Sequence, residues 1–191
     1  NLTWRMLAMN QLCDRIGTAA LGPLTQLLDS GQATAVEHAH ALWTLARIGD
    51  FFNADRAHVT ALMGNRTGAG YLENAARHAD PLVRTHALRI MAELPELRGL
   101  RPVVVTALSD SHGLVQRCAA EVLSRHPRLF DLRHLLALHS RVPAEDTHLL
   151  YVARKAMRDV LKDGDNLASL RADELSAADS RAVADVVVAI P

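Results

Sequence analysis

Ten histidines, two cysteines and 21 acidic side chains are the residues in this 191-residue chain best suited to metal binding or acid–base chemistry. Their spacing speaks against most such sites. His38 and His40 stand two apart, which on a helix turns them to different faces, whereas a ligand pair needs i, i+4 spacing. His134 and His139 stand five apart, an equally poor ligand pair. His40 and His86 fall at equivalent places beside a small apolar residue, a recurrence that predicts packing or helix-to-helix hydrogen bonding. His112, before Gly113, reads as a loop residue. Cys13 and Cys118 lie on separate apolar stretches and read as core thiols rather than as a disulfide or a redox pair. There is no Gly-x-Ser-x-Gly elbow and no close Cys–His pair to arm a nucleophile. The run Gly64-Asn-Arg-Thr-Gly-Ala-Gly70 lacks the Gly-Lys-Ser/Thr ending of a phosphate loop and follows no strand. Glu73, Glu93, Glu145 and Asp146 are scattered carboxylates. No catalytic residue, metal ligand or cofactor site is assigned from these patterns.

Basic side chains gather more closely: Arg84, Arg89, Arg98 and Arg101, then Arg117, Arg125 and Arg128, then Arg154, Lys155, Arg158 and Lys162. Lined up on neighbouring helices they would make a stripe. Yet 21 basic residues balance 21 acidic ones, the sequence pI is near 7.3, and aromatics are 4% of the chain. No net field draws the chain to nucleic acid, and few rings are present to stack on bases. Solvated helix faces, ion-paired to acids such as Asp80 or Asp110, are the plainer expectation. No run of apolar residues reaches the roughly 18 needed to span a membrane.

The elements that carry these residues are helices. In Asp80-Pro-Leu-Val-Arg-Thr-His-Ala-Leu-Arg-Ile-Met-Ala-Glu-Leu94, Val83, Ala87, Leu88, Ile90, Met91 and Leu94 share one apolar face. Asp80 is placed to cap the helix and Pro81 to open it. The pattern returns around Ala8, Ala41, Ala119 and Ala153, so the successive intervals are 33, 46, 32 and 34 residues. An alanine at each centre lets two helices approach closely. One helical hairpin cannot bury its face alone, so neighbours must stack. The expectation is an all-α fold, an α-solenoid of about five hairpins forming a single domain over residues 1–191. First helices are expected at about 3–16, 34–48, 81–94, 114–125 and 147–161, with return helices at 19–28, 71–78, 98–109 and 129–139. The long interval marks an insertion over residues 50–70. A strongly apolar last helix over 182–190, capped from Ser176, should be covered by a further repeat or a polar cap. Together with a start that has neither Met nor signal peptide, it gives the expectation of a piece cut from a longer chain.

The motif Asp80-Pro-Leu-Val-Arg84 with Ala87, and Val115-Gln116 with Ala119, resembles the opening of HEAT repeats. Four stretches together, Thr3-Trp-Arg5, His40-Ala-Leu-Trp-Thr-Leu45, Asp146-Thr-His-Leu149 with Arg154-Lys-Ala-Met-Arg-Asp159, and Ala182-Val-Ala-Asp185, resemble a more specific group. This is the HEAT-repeat section of large bacterial dehydrogenase-like proteins of planctomycetes and verrucomicrobia, which join a propeller, HEAT repeats and a c-type haem domain. The resemblance implies an extracytoplasmic, periplasmic setting. The family's Cys-x-x-Cys-His haem attachment is absent here, so only the scaffold is implied and not the haem or propeller chemistry.

The functional expectation is therefore a non-enzymatic scaffold or protein-interaction module, without cofactor, whose partners are proteins or neighbouring domains of its parent chain. Contact residues are expected in the insertion (Phe51, Phe52 and Arg66) and on the return helices (Arg98, Arg101, Arg128 and His134). The competing expectation is a HEAT-fold enzyme, such as a DNA-repair glycosylase or a small-ligand lyase.

Overall fold

The computed structural model describes residues 2–48, 68–171 and 175–188, apart from the side chain of Arg98. Among them every regular element is helical. The chain divides into two compact units, 1–100 and 101–191. No helix among the described residues is long and apolar enough to cross a membrane.

In the first unit, α1 (Leu2–Gln11) runs into a π-helical turn over Leu12–Ile16, followed by a short 3-10 turn and α2 (Leu21–Asp29). Gly17 ends the π turn at φ +59°, a left-handed conformation that residues with a Cβ seldom adopt. The unit continues with α3 (Ala35–Arg47), α4 (Gly68–Ala76) and α5 (Pro81–Glu93). Helix α2 packs on α3, α3 lies against α5, and α4 packs on α5. Local chemistry sets several starts. Thr34 and Glu37 form a reciprocal capping box at α3, and the Asp80 carboxylate accepts the Leu82 N–H (2.8 Å) ahead of Pro81.

The second unit holds α6 (Arg101–Ala107), α7 (Gly113–Arg125), α8 (Leu132–His139), α9 (Thr147–Lys162), the single turn α10 (Asn166–Ser169) and α11 (Ala177–Val187). Here α6 packs on α7, α7 lies along α9, and α8 and α11 both pack on α9. Asp146 caps α9 by accepting the Leu149 N–H (3.0 Å), and its carboxylate also pairs with Arg117 of α7 (2.8 Å).

The expected helices are thus present, and α4 begins three residues earlier than its periodicity suggests. Four of the five marker alanines are core: Ala41 is 3% exposed, and Ala87, Ala119 and Ala153 are fully buried. The fifth, Ala8, is exposed. Met9 is the residue of α1 that is buried, while Trp4 is 72% exposed. The apolar residues of the first copy are spread round the helix without a clear stripe, so spacing alone leaves its inward face open, and packing selects the neighbouring residue. Cys118 is buried but Cys13 only half so; both are free thiols. The expected insertion, residues 50–70, lies almost wholly outside the described residues.

Candidate interaction cleft

A cleft of about 980 Å³ opens in the second unit, between the stretch from Arg128 to Ser140 and the stretch from Ser169 to Asp179. The first wall follows from local sequence. Arg128 is extended, Leu129–Asp131 makes one 3-10 turn, and α8 then buries Leu132, Leu135, Leu136 and Leu138. Arg133, Ala137 and Ser140, spaced three and four residues apart, stay exposed and line the cleft together with one edge of Leu136. The opposite wall begins at α10, where the Asn166 side-chain amide donates to the Val160 carbonyl (2.8 Å) and holds the turn against the end of α9.

Beneath the first wall sits Asp131, whose side chain is completely buried. Arg101, only 15% exposed, donates Nη1 to Asp131 Oδ2 and Nη2 to the His126 carbonyl (2.8 Å). Its guanidinium also lies 5.6 Å from the centre of the Phe130 ring, a cation–π arrangement. Phe130 is thereby held from one side while remaining 52% exposed on the cleft. Burial pushes the Asp131 carboxyl up, and the charges of Arg101, His134 and Arg128 oppose that push. Asp131 Oδ1 has no hydrogen-bond donor among the described residues.

The charges of three of the residues singled out by sequence act on Asp131, and Arg101 is the one bonded to it. Arg128 is exposed and lines the cleft, His134 is half-buried, and Arg101 is engaged with Asp131 and the His126 carbonyl. Arg98 belongs to the 3-10 turn Arg98–Leu100 of the first unit, and its side chain is not described. Phe51, Phe52 and Arg66 lie outside the described residues. Asp131 itself escaped the sequence reading. Its signal was a lone acid inside the apolar run Leu129-Phe130-Asp131-Leu132.

Several of the remaining basic residues are tied down. Arg117 pairs with Asp146, Arg125 with Glu121 (3.2 Å) and Arg154 with Asp185 (3.1 Å). Lys155 Nζ donates to Asp159 and to Ser124 Oγ, both at 2.8 Å, and Ser124 donates to Asp159 at 2.5 Å. A serine beside a lysine invites a nucleophilic reading. Here the ammonium faces a carboxylate whose pKa is held down, despite burial, by those same hydrogen bonds and charges. The three side chains satisfy one another, and the network ties α7 to α9.

In the first unit the histidines do what their periodicity suggested. Trp43 Nε1–H on α3 donates to His86 Nδ1 on α5 (2.9 Å), and the His38 and His78 rings meet at 5.0 Å. His40 lines a small, mainly apolar recess of about 180 Å³ with Ala8 and Met9. Burial lowers the pKa of His38, His40 and His86. Among the described residues, no group of three or more His, Cys, Asp or Glu side chains is placed to hold a metal ion. Comparisons with protein-family models, with curated proteins and with solved structures returned no match.

Proposed function

We propose that this chain is a HEAT-like α-solenoid segment without chemistry of its own, acting as a scaffold or protein-interaction module of a larger, extracytoplasmic dehydrogenase-like protein. The observation that carries the reading is the recurrence of a buried alanine at Ala41, Ala87, Ala119 and Ala153. These lie on equivalent helices that stand side by side within their units, α3 beside α5 and α7 beside α9. Return helices follow the same rule, each packing on the first helix that comes next: α2 on α3, α4 on α5, α6 on α7 and α8 on α9. Packing between neighbouring helices is how stacked hairpins bury faces that none could bury alone. The dehydrogenase-like setting rests on the four sequence stretches named above.

One observation favours the enzymatic alternative: an arginine-lined cleft with a buried carboxylate beneath it. Asp131, however, spends its charge on Arg101, and Asp179 in the opposite wall accepts a hydrogen bond from the Ser176 hydroxyl (2.6 Å) at the cap of α11. Neither is poised for proton transfer to a ligand in the cleft.

The test is to remove residues 1–191 from the full-length gene product and measure two things, dehydrogenase turnover and co-purification of its protein partners. Turnover should persist while association is lost. Lost turnover with association intact would contradict a scaffold role.

A further inference from the structure

From the first unit we infer that the contact between α3 and α5 is a proton-operated latch, closed while its histidine rings are neutral and loosened when they take up protons. Two cross-links between the helices carry this reading.

The first joins the bodies of the helices. Trp43 Nε1–H of α3 donates to His86 Nδ1 of α5 at 2.9 Å, with the two rings edge-to-face at 6.4 Å. An indole nitrogen can only donate, so this bond exists only while His86 Nδ1 keeps its lone pair. A proton on Nδ1 leaves two N–H donors facing each other.

The second joins the helix starts. The ring of His38, in the first turn of α3, meets the ring of His78, in the turn before α5, at 5.0 Å. His78 Nδ1 accepts the Asp80 N–H (3.0 Å), while the His78 and Ala79 carbonyls both accept Arg84 Nη1 at 2.8 Å. His78 thereby fixes the turn from which Asp80 caps α5. Protonating His78 at Nδ1 removes the acceptor of the Asp80 N–H. Protonating both rings sets two cations side by side.

The described carboxylates of the packed elements are engaged away from these rings. Asp14 of the π turn pairs with Arg47, Asp29 of α2 accepts from the Tyr71 hydroxyl, and Glu37 of α3 holds Thr34. Glu73 of α4 pairs with Arg77, Asp80 accepts the Leu82 N–H, and Glu93 stands at the far end of α5. The nearer charges are cationic: Arg89 and His40 act on His86, and Arg5 of α1 acts on His40. Burial of His38 and His86 opposes the charged form as well. The closed seam therefore binds protons at these two rings less tightly than an opened one, and linkage makes proton uptake favour opening. The closing contribution is complete above the unfolded histidine value of about 6.5 and is lost as pH falls from there through the lower folded-state values.

The test is hydrogen–deuterium exchange of the 191-residue chain, read by mass spectrometry on peptides covering α3 and residues 77–92 and corrected for the intrinsic effect of pH on exchange. Protection should fall about tenfold or more between about pH 7.5 and about pH 5.5, because each histidine of unfolded value about 6.5 can shift an opening equilibrium by up to about tenfold there. In the triple variant His38→Gln, His78→Asn and His86→Gln, side-chain amide oxygens supply both acceptors without titrating. Its fall should shrink to less than about threefold, with wild-type helix content by circular dichroism at neutral pH. In the wild type, nitrogen NMR should show His78 and His86 as Nε2–H tautomers at neutral pH, with proton uptake at His86 coinciding with the loss of protection.

Unchanged protection in the wild type, a fall that survives in the triple variant, or an Nδ1–H tautomer at His86 at neutral pH would each overturn the latch. Should the triple variant lose its helices, the wild-type titration decides: protection lost well above the pH at which His86 is protonated overturns the latch, and coincidence of the two supports it.

Discussion

Asp131 and Arg101 form the pair on which the cleft wall depends. A buried ion pair adds little net stability, but breaking it leaves an uncompensated charge. Arg101→Met should therefore cost about 3–5 kcal/mol, and adding Asp131→Leu should restore most of that loss in a thermal melt. The single variant should also be less stable at pH 7 than near pH 4. Burial raises the folded-state pKa of Asp131, so stability present below the unfolded carboxylate value of about 3.9 is lost as pH rises from there through the raised folded-state value. A double variant no more stable than the single one would show that the pair is not the strut. His86 supplies a second test with the opposite sign. Its folded pKa lies below the unfolded value because of burial, with Arg89 and His40 nearby adding to the effect. Its contribution is therefore complete above the unfolded value of about 6.5 and is lost as pH falls from there through the lower folded-state value. In a Trp4→Phe background, Trp43 is the sole tryptophan, and its emission should change with a midpoint below 6.5 as the Nδ1 acceptor is protonated. In His86→Gln that change should vanish; its persistence would assign it to another group.

At the level of single helices, caps decide where each element starts. Thr34→Ala removes the oxygen that accepts the Glu37 N–H, and should cost about 1 kcal/mol by chemical denaturation. Asp146 has two duties, capping α9 and pairing with Arg117 of α7. Asp146→Asn keeps a good cap and loses the charge pair, so it should melt between the wild type and Asp146→Ala. Equal melting of the two variants would mean that the charge pair, not the cap, carries the whole effect. The caps act over three or four residues and so lie within reach of the sequence. Asp80-Pro81 is read directly from it and the structure places that cap as read, whereas the Thr34–Glu37 box emerged only in the structure. The Arg101–Asp131 pair spans 30 residues and crosses elements, and periodicity names a face without naming what faces it. Ala8 shows the same limit. A helix whose apolar residues form no clear stripe does not announce its inward side, and Met9 rather than Ala8 meets the core.

Across the chain, the account depends on one structural device used repeatedly: a residue too small to hold helices apart, at matching places on helices that lie side by side. Glutamate substitutions at Ala41, Ala87, Ala119 and Ala153, with Ala8 as the exposed comparison, test it most directly by thermal denaturation. Each of the four should lose about 3–5 kcal/mol through an unpaired buried charge, and Ala8→Glu should stay within about 0.5 kcal/mol of the wild type. Wild-type-like melting of the Ala87 and Ala119 variants, or an Ala8 variant as damaged as the rest, would contradict the shared register on which the helical-repeat reading stands.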